Sequence, residues 1–173
     1  MQRVPYKAEG ARTAAVLSGE VPVGFTSGGG FAPYIKAGKL KALALLSAQR
    51  FSATPDIPTS VEQGFTGLES YVWFGLYAPA RTPPDGYTVM QATQSHTANV
   101  SLFRKLSYDL LRDFAAVSLV ATAPQLLVVS LNIKVTTVRE LVQLAKAEPG
   151  KLNFGSGGAA TLAYLGGELF KKL

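Results

Sequence analysis

The chain contains no cysteine and only one histidine, and both scarcities limit its chemistry. Without cysteine there are no disulfides, thiolate metal sites or cysteine nucleophiles. With one histidine and scattered acidic residues, no metal site is expected. No apolar run approaches the roughly 18 residues that cross a bilayer, and the first residues, Met1 to Pro5, lack the apolar stretch of a signal peptide. As written, the sequence predicts a soluble chain that stays in the cytoplasm.

Acidic residues are also in short supply. The 17 Lys and Arg outnumber the 11 Asp and Glu, which gives a net charge of +6. Such an excess can indicate a nucleic-acid partner, but the basic residues are dispersed and no nucleic-acid-binding motif is present. A field that attracts small anions is the better interpretation, and we expect no nucleic-acid partner.

The hydrophobic residues, 47% of the chain, are numerous enough for a packed core. Short apolar runs alternate with helical patterns, which predicts an α/β fold with a mostly parallel sheet and flanking helices. The predicted strands cover 3–6, 21–26, 40–46, 71–78, 87–92, 117–129 and 151–154, with Pro124 dividing the sixth. The predicted helices cover 8–17, 31–37, 59–63, 101–105 and 159–172, and a further helix, capped by Thr136 or Thr137 with Glu140 as in a capping box, runs to 147.

Three segments rich in glycine or hydroxyl residues follow predicted strands, at 26–30, 93–97 and 155–158. Glycine lets backbone N–H groups turn toward a ligand, and the start of a helix adds partial positive charge. Loops that follow the strands of a doubly wound sheet converge at one edge. Together the three segments predict an anion cradle, although for 155–158 taken alone a plain tight turn is an equal alternative.

A hydrolase that uses Ser156 and His96 is the enzymatic alternative. The chain has no Gly-X-Ser-X-Gly elbow, and nothing implies a general base beside the serine. Asp109 and Asp113 lie four residues apart, but their neighbour Arg112 indicates a solvated turn rather than a catalytic acid pair. We therefore predict a protein that is not an enzyme and needs no cofactor.

Nine short strings, taken together, resemble the receptors of tripartite tricarboxylate transporters, also called the Bug family. They lie at 84–88 (Pro-Asp-Gly-Tyr-Thr), 101–106, 113–121, 149–154 (Pro-Gly-Lys-Leu-Asn-Phe), 167–170, 4–7 (Val-Pro-Tyr-Lys), 35–40, 55–59 and 73–76. The resemblance implies a two-lobed fold like that of the type II periplasmic binding proteins. It also implies a periplasmic receptor that closes on a small carboxylate and delivers it to a membrane permease.

The order of these segments differs from the family pattern. Residues 2–83 match the later part of the family and residues 84–173 the earlier part, which implies a circular permutation joined at 83–84. The family's amino-terminal strand and carboxy-terminal helices are not matched. Residues 1–80 and 121–173 would then form one lobe, the family's second, and residues 81–120 a remnant of the first. With half of the site missing, ligand binding is expected to be weakened.

The resemblance also assigns candidate ligand-binding residues. The backbone N–H groups from Ser156 to Ala159 are expected to bind the carboxylate. If the loop needs a conformation that only glycine tolerates at Gly157, a bulky β-branched residue there should abolish binding. Thr26 and Ser27 stand where the family usually has Asp-Asn. The full predicted set is Gly155, Ser156, Gly157, Gly158, Ala159, Thr161, Thr26, Ser27, Thr93, Ser95 and His96.

Two further expectations concern partners and the alternative to binding. Loss of most of one lobe would leave the strands at 87–92 and 117–121 with few neighbours, and exposed strand edges pair with other chains. The sequence therefore predicts a homodimer or a swapped assembly. The alternative function is an engineered or rearranged single-domain folding module that binds no useful ligand.

Overall fold

The structure, a computed structural model, describes residues 1–83, 85–158 and 160–173. Within these ranges there are seven strands and five helices, which alternate except that β3, β4 and β5 follow one another. They are β1 (Gln2–Pro5), α1 (Glu9–Ser18), β2 (Val23–Ser27), α2 (Gly28–Lys36), β3 (Leu40–Leu46), β4 (Tyr71–Pro79), β5 (Met90–Thr93), α3 (Gln94–Leu102), β6 (Phe114–Ser130), α4 (Val138–Ala147), β7 (Asn153–Ser156) and α5 (Leu162–Phe170).

The strands form one mixed sheet in the order β1-β7-β2-β6-β4-β5, and β3 also pairs with β6. Strand β7 is parallel to β1 and β2, whereas β6 is antiparallel to β2, β3 and β4, and β5 is antiparallel to β4. The α/β class with helices flanking a sheet is confirmed, but the sheet is not mostly parallel. Apolar runs such as 40–46 misled the prediction, because a central antiparallel strand covered on both faces is just as apolar.

Strand β6 organises the core through its second half, residues 124–130, which are all buried. Side chains alternate between the two faces of a strand. Leu127 and Val129 join a core that includes residues of α4 and α5, while Leu126 and Val128 pack with Val16 of α1 and with α2. Helices on both faces of the sheet therefore explain why this half-strand is apolar at successive positions.

The first half of β6 has a different environment. Residues 115–122 are exposed, and in the described part of the chain they pair along one edge only, with β4. Pro124 marks the change: it pairs with Tyr71 of β4, while Gln125 pairs with β2 and β3. The strand runs through Pro124 without a break, so the predicted division is wrong for the backbone although the strand changes partners there.

Several predicted elements differ from the structure in extent or type. The helix predicted at 59–63 is a turn, with Thr59 bridged to Leu45. Helix α3 occupies 94–102, so the loop predicted at 93–97 is the start of that helix, and residues 103–105 lie outside it. The N-cap of α4 is confirmed at Thr137, whose Oγ1 accepts from the Glu140 N–H at 3.2 Å. The Glu140 carboxylate accepts at 2.6 Å from the N–H of Thr136, one residue before the N-cap, so the predicted capping box is formed only in part.

At the edge of the sheet formed by β1, strand β7 pairs with β1 and α5 packs against β7. Strand β1 is the parallel neighbour of β7, and Tyr6 N–H donates to the Ser156 carbonyl at 2.8 Å. Met1 and Leu173 line the same small cavity of about 200 Å³. This is the proximity expected of the rearranged segments, whereas the division into 1–80 with 121–173 and 81–120 stays a prediction.

Candidate functional site

A cavity of about 350 Å³ opens where β2 and β7 end, and the starts of four helices surround it. This volume lies near the lower end of the usual range for small-molecule sites. The cavity is lined by Lys7, Ala8, Glu9, Arg12, Phe25, Thr26, Ser27, Val72, Gln94, Ser95, Gly157, Thr161, Leu162 and Ala163.

Helices α1, α3 and α5 contribute N-terminal residues to this lining, and α2 contributes Ser27, the N-cap residue that precedes it. The first N–H groups of a helix have no partner within the helix, and the helix dipole places partial positive charge there. Ala8 precedes α1 and has no capping group, and Ser27 makes no side-chain capping bond to α2 within the described residues. The cavity therefore collects several hydrogen-bond donors that favour an anion.

Arg12 supplies a full positive charge to the same cavity. The residue is only 7% exposed, and its Nη2 donates to Glu9 Oε1 at 2.6 Å. Its Nε is buried and has no hydrogen-bond partner among the described residues. A Cβ at Gly155 would lie 2.8 Å from Arg12 Cγ, so the absence of a side chain on β7 makes room for the arginine stem.

The hydroxyl groups around the cavity differ in whether their protons are free to donate a hydrogen bond to a ligand. Thr161 Oγ1 donates to the Gly158 carbonyl at 2.8 Å and accepts from the Tyr164 N–H, and Ser95 Oγ donates to the Ala160 carbonyl. Both hydroxyl protons are therefore already used. Thr26 Oγ1 is buried and has no partner in the described residues, so its proton is available to a ligand.

The structure brings five of the predicted site residues to the cavity: Thr26, Ser27, Ser95, Gly157 and Thr161. Gly155 and Ser156 instead belong to β7, where the pairing Val4↔Gly155 and Pro5↔Ser156 joins them to β1. The strand predicted to end at Phe154 thus continues for two more residues, because β1 offers them backbone partners. Ala159 lies outside the described residues.

Thr93 and His96 are placed at the start of α3 and do not line the cavity. His96 Nδ1 accepts from the Thr93 N–H at 3.1 Å, and the imidazole ring lies 6.4 Å from the Tyr108 ring. This nitrogen is therefore engaged in holding the helix start. A ligand contact of either residue stays a prediction.

The glycine with the unusual backbone is Gly158, whose φ is 128°. Gly157 has no positive φ, and a Cβ there would meet Thr161 Cγ2 at an ordinary 3.5 Å. The expectation that Gly157 needs a conformation that only glycine tolerates is therefore wrong. Helix α5 also starts three residues later than predicted, at Leu162, so its first turn contributes Leu162 and Ala163 to the cavity.

Sequence reasoning missed the charged residues of the site: Lys7, Glu9 and Arg12. A signal for Arg12 was present, because it lies three and four residues before Ala15 and Val16 and so shares their helix face. Those two residues are buried. A charge on the buried face of a helix is unusual, and Glu9, one turn earlier, is positioned to pair with it.

Other kinds of site find no support in the part of the chain that the structure describes. No cluster of three or more His, Cys, Asp or Glu side chains there has an arrangement that would hold a metal ion. No helix in the same ranges has both the length and the apolar character needed to cross a bilayer.

Comparison with known proteins identifies the family. The family model described as "Tripartite tricarboxylate transporter family receptor" matches residues 1–84 and, separately, residues 80–173. The chain belongs to this family. The two matches together cover the chain, so the family resemblance of the nine strings is confirmed.

Curated relatives agree with this assignment. The chain is 27% identical over 139 residues to the UPF0065 protein in the tcbD-tcbE intergenic region of Pseudomonas sp. (strain P51), covering 79% of this chain and 40% of the relative. It is 35% identical over 95 residues to a UPF0065 protein of Bordetella pertussis, covering 53% and 28%. It is 33% identical over 81 residues to protein BugT of the same organism, covering 47% and 25%.

The matched part therefore spans less than half the length of these relatives. No solved structure matches the chain.

Proposed function

We propose that the chain binds a small carboxylate in the cavity, as a periplasmic solute-binding receptor, or one lobe of it, for a tripartite tricarboxylate transporter. The observation that carries the proposal is the convergence of four helix starts and the buried Arg12 on one cavity. Helix N-termini and arginine both favour a carboxylate, the first through dipole and N–H groups, the second through charge and a planar fork. Membership of a receptor family supports the same function, with a membrane permease as the partner.

The affinity should be modest. A helix terminus contributes roughly 0.3–1 kcal/mol to an exposed anion. A second lobe that closed over the ligand would exclude water and strengthen those bonds, but under the proposed division residues 81–120 would supply only a small part of such a lobe. We expect binding weaker than about the micromolar range, equivalent to roughly −8 kcal/mol.

Calorimetric titration with citrate, succinate and acetate tests this function. We expect heat of binding for at least one of the three, with a dissociation constant above about 1 µM, and loss of that heat in Arg12→Met, which removes the charge and keeps an unbranched apolar stem. Lys172→Met, a change of the same charge on the exposed end of the chain, is the matched control. Absence of heat from all three acids, or equal binding by Arg12→Met, would contradict the proposal.

A catalytic function has less support than binding. Ser156 is completely buried at the end of β7, and His96 uses Nδ1 to hold the start of α3. Neither residue lines the cavity. The competing interpretation, a rearranged folding module that binds nothing useful, makes the opposite prediction in the same titration.

We also propose that the family's segments occur here in permuted order. The two separate family matches meet at 80–84, and Met1 and Leu173 line one small cavity. A chain reordered to run from 84 to 173, then through a short glycine linker into 1–83, should fold to the same structure. We expect an unchanged circular-dichroism spectrum; a reordered chain without a cooperative unfolding transition would contradict this order.

Self-association through the exposed half of β6 is the partner that we propose beside the ligand. The segment from Phe114 to Ala123 carries no charged side chain, and its Val117, Leu119 and Val120 are 59–64% exposed. Unpaired, uncharged strand edges associate with other chains. Light scattering should give a mass that rises with concentration toward a dimer, and a constant monomer mass would contradict the proposal.

A further inference from the structure

Glu9 is the acidic side chain that lines the cavity in the described part of the chain, and its position is informative. It lies in the first turn of α1, and its Oε1 accepts from Arg12 Nη2 at 2.6 Å. A Cβ placed on Gly30, in the first turn of α2, would lie 3.2 Å from the same oxygen. The Glu9 carboxylate thus sits between a buried arginine and a helix start, the two features that favour a ligand carboxylate.

We propose that Glu9 is an internal competitor, a carboxylate of the protein that occupies the anion position on Arg12 until a ligand carboxylate displaces it. The inference rests on the proposed function and adds a regulation of the same site. The proposal explains how Arg12 keeps an anionic partner while no ligand is bound. It also says which group a ligand must displace in order to bind.

The different burial of the two partners supports the exchange. The Arg12 side chain is 8% exposed and the Glu9 side chain 64%. A buried cation that loses its counter-ion is strongly destabilised, so Arg12 needs an anion in every state. An exposed carboxylate is well solvated by water, and pairs with an exposed partner contribute little. Glu9 can therefore leave toward solvent at small cost, provided that another carboxylate takes its place.

Unused hydrogen-bond capacity in the site favours the incoming ligand over Glu9. Glu9 engages Arg12 through Nη2, while the Arg12 Nε and the Thr26 hydroxyl have no partner in the described residues. A free carboxylate is not tethered to the first turn of α1 and can turn to use more of these donors, and bidentate contacts to arginine are stronger than single ones. The ligand thus gains contacts that Glu9 does not make.

The test compares Glu9→Gln with Glu168→Gln in the full chain, using succinate as the probe. Glu168 is the matched control, because it also forms an i,i+3 ion pair, with Lys171 at 2.8 Å, on an exposed helix surface away from the cavity. Both variants remove one negative charge. Because Glu9→Gln removes the carboxylate that succinate must displace from Arg12, we expect succinate to bind this variant at least about two- to fivefold more tightly than the wild type. Glu168→Gln should match the wild type.

Calorimetry measures the affinities, and carbon-detected NMR of the Glu9 carboxyl in the wild type reports its release as succinate is added. Tighter binding by Glu9→Gln together with a shift of the Glu9 carboxyl signal is the expected result. Succinate binding to the wild type with equal or lower affinity in Glu9→Gln would overturn the competitor role and leave the proposed function standing. Absence of succinate binding in the wild type and in both variants would overturn the proposed function itself.

Discussion

The two halves of β6 have similar apolar sequences and opposite environments. Residues 126–129, Leu-Leu-Val-Val, are fully buried between two helical layers, whereas residues 115–122, which include Val117, Leu119 and Val120, are exposed. The buried half pairs with β2 on one edge and β3 on the other, and the exposed half pairs with β4 on one edge. The burial of a strand therefore depends on the layers that cover it, and hydrophobicity alone does not reveal whether those layers are present.

The same contrast applies to the two ends of the sheet, of which one holds the cavity. Helices α1, α2 and α5 pack on the buried half of the sheet and begin at the cavity, so the core holds their N-termini in place. At the other side of the sheet, α3 packs against β4 and β5, and residues 115–122 of β6 are exposed. We interpret the first region as the independently stable part of the fold and the second as its dependent extension.

The largest expected difference comes from shortening a leucine in each half of β6. Leu127→Ala should destabilise the fold by about 2–5 kcal/mol, because it leaves a cavity in a core that does not collapse easily. Leu119→Ala, the matched change on the exposed half, should cost less than about 0.5 kcal/mol. Urea unfolding followed by circular dichroism measures both. Equal costs would show that the exposed half is covered in solution.

Alanine substitutions at two glycines, one in the buried region and one in the exposed region, test the same difference in packing. A Cβ on Gly167 of α5 would overlap the Phe154 ring, which is itself fully buried. Gly167→Ala should therefore destabilise the fold by about 1–3 kcal/mol through overpacking. At Gly75 of β4 the nearest atoms belong to the partly exposed Tyr77 and Trp73 side chains, at 3.2 and 3.3 Å, which can move.

For Gly75→Ala we expect a change within about 0.5 kcal/mol. Thermal unfolding of the two alanine variants checks the difference. A larger loss of stability for Gly75→Ala than for Gly167→Ala would reverse the assignment of the rigid region.

A lysine on the exposed strand tests whether that half is free or used for association. Leu119→Lys should leave the unfolding free energy within about 0.5 kcal/mol of the wild type and should reduce self-association, because a charge on a strand edge opposes pairing. Sedimentation velocity at several concentrations measures the association. Unchanged association would place the contact elsewhere on the molecule.

The smallest effect concerns acid sensitivity at the turn that precedes β6. Hydrogen bonds from Arg112 and from the Asp109 backbone lower the pKa of Asp113 from its usual 3.8 to about 2. Because the folded pKa is the lower one, the stabilisation from Asp113 is fully present above about pH 4 and is lost as the pH falls toward 2. NMR titration of the Asp113 carboxyl carbon should give a midpoint near 2, and a midpoint near 3.8 would show that this turn is not formed in solution.

The sequence predicted most of the strands and the helix caps because those signals are local. The N-cap at Thr137 is confirmed, as is the buried strand at 40–46. The predicted end of a strand was wrong where a distant partner determines it. Strand β7 continues to Ser156 because β1, about 150 residues away in sequence, supplies its hydrogen bonds. Strand direction failed for the same reason, since pairing with β6 is a long-range property.

The site was predicted only in part, and the missing residues share one feature. Glycine- and hydroxyl-rich segments after strands led to Thr26, Ser27, Ser95 and Gly157, and the family resemblance added Thr161; all five line the cavity. Arg12 and Glu9 belong to a helix whose first turn enters the cavity only once the sheet is assembled. Their charge gives no local sign of this, although the spacing of Arg12 from buried Val16 does.

The most direct test of the account is an NMR titration of the 15N-labelled chain with succinate, repeated with Arg12→Met. We expect shifts of the amide signals that surround the cavity, among them Ser27, Gly157 and Leu162, and of the Arg12 side chain, with no comparable change at residues 115–122 of β6. Arg12→Met should lose the cavity shifts while it keeps a folded spectrum. Shifts confined to the exposed half of β6, or cavity shifts that persist without Arg12, would contradict the account.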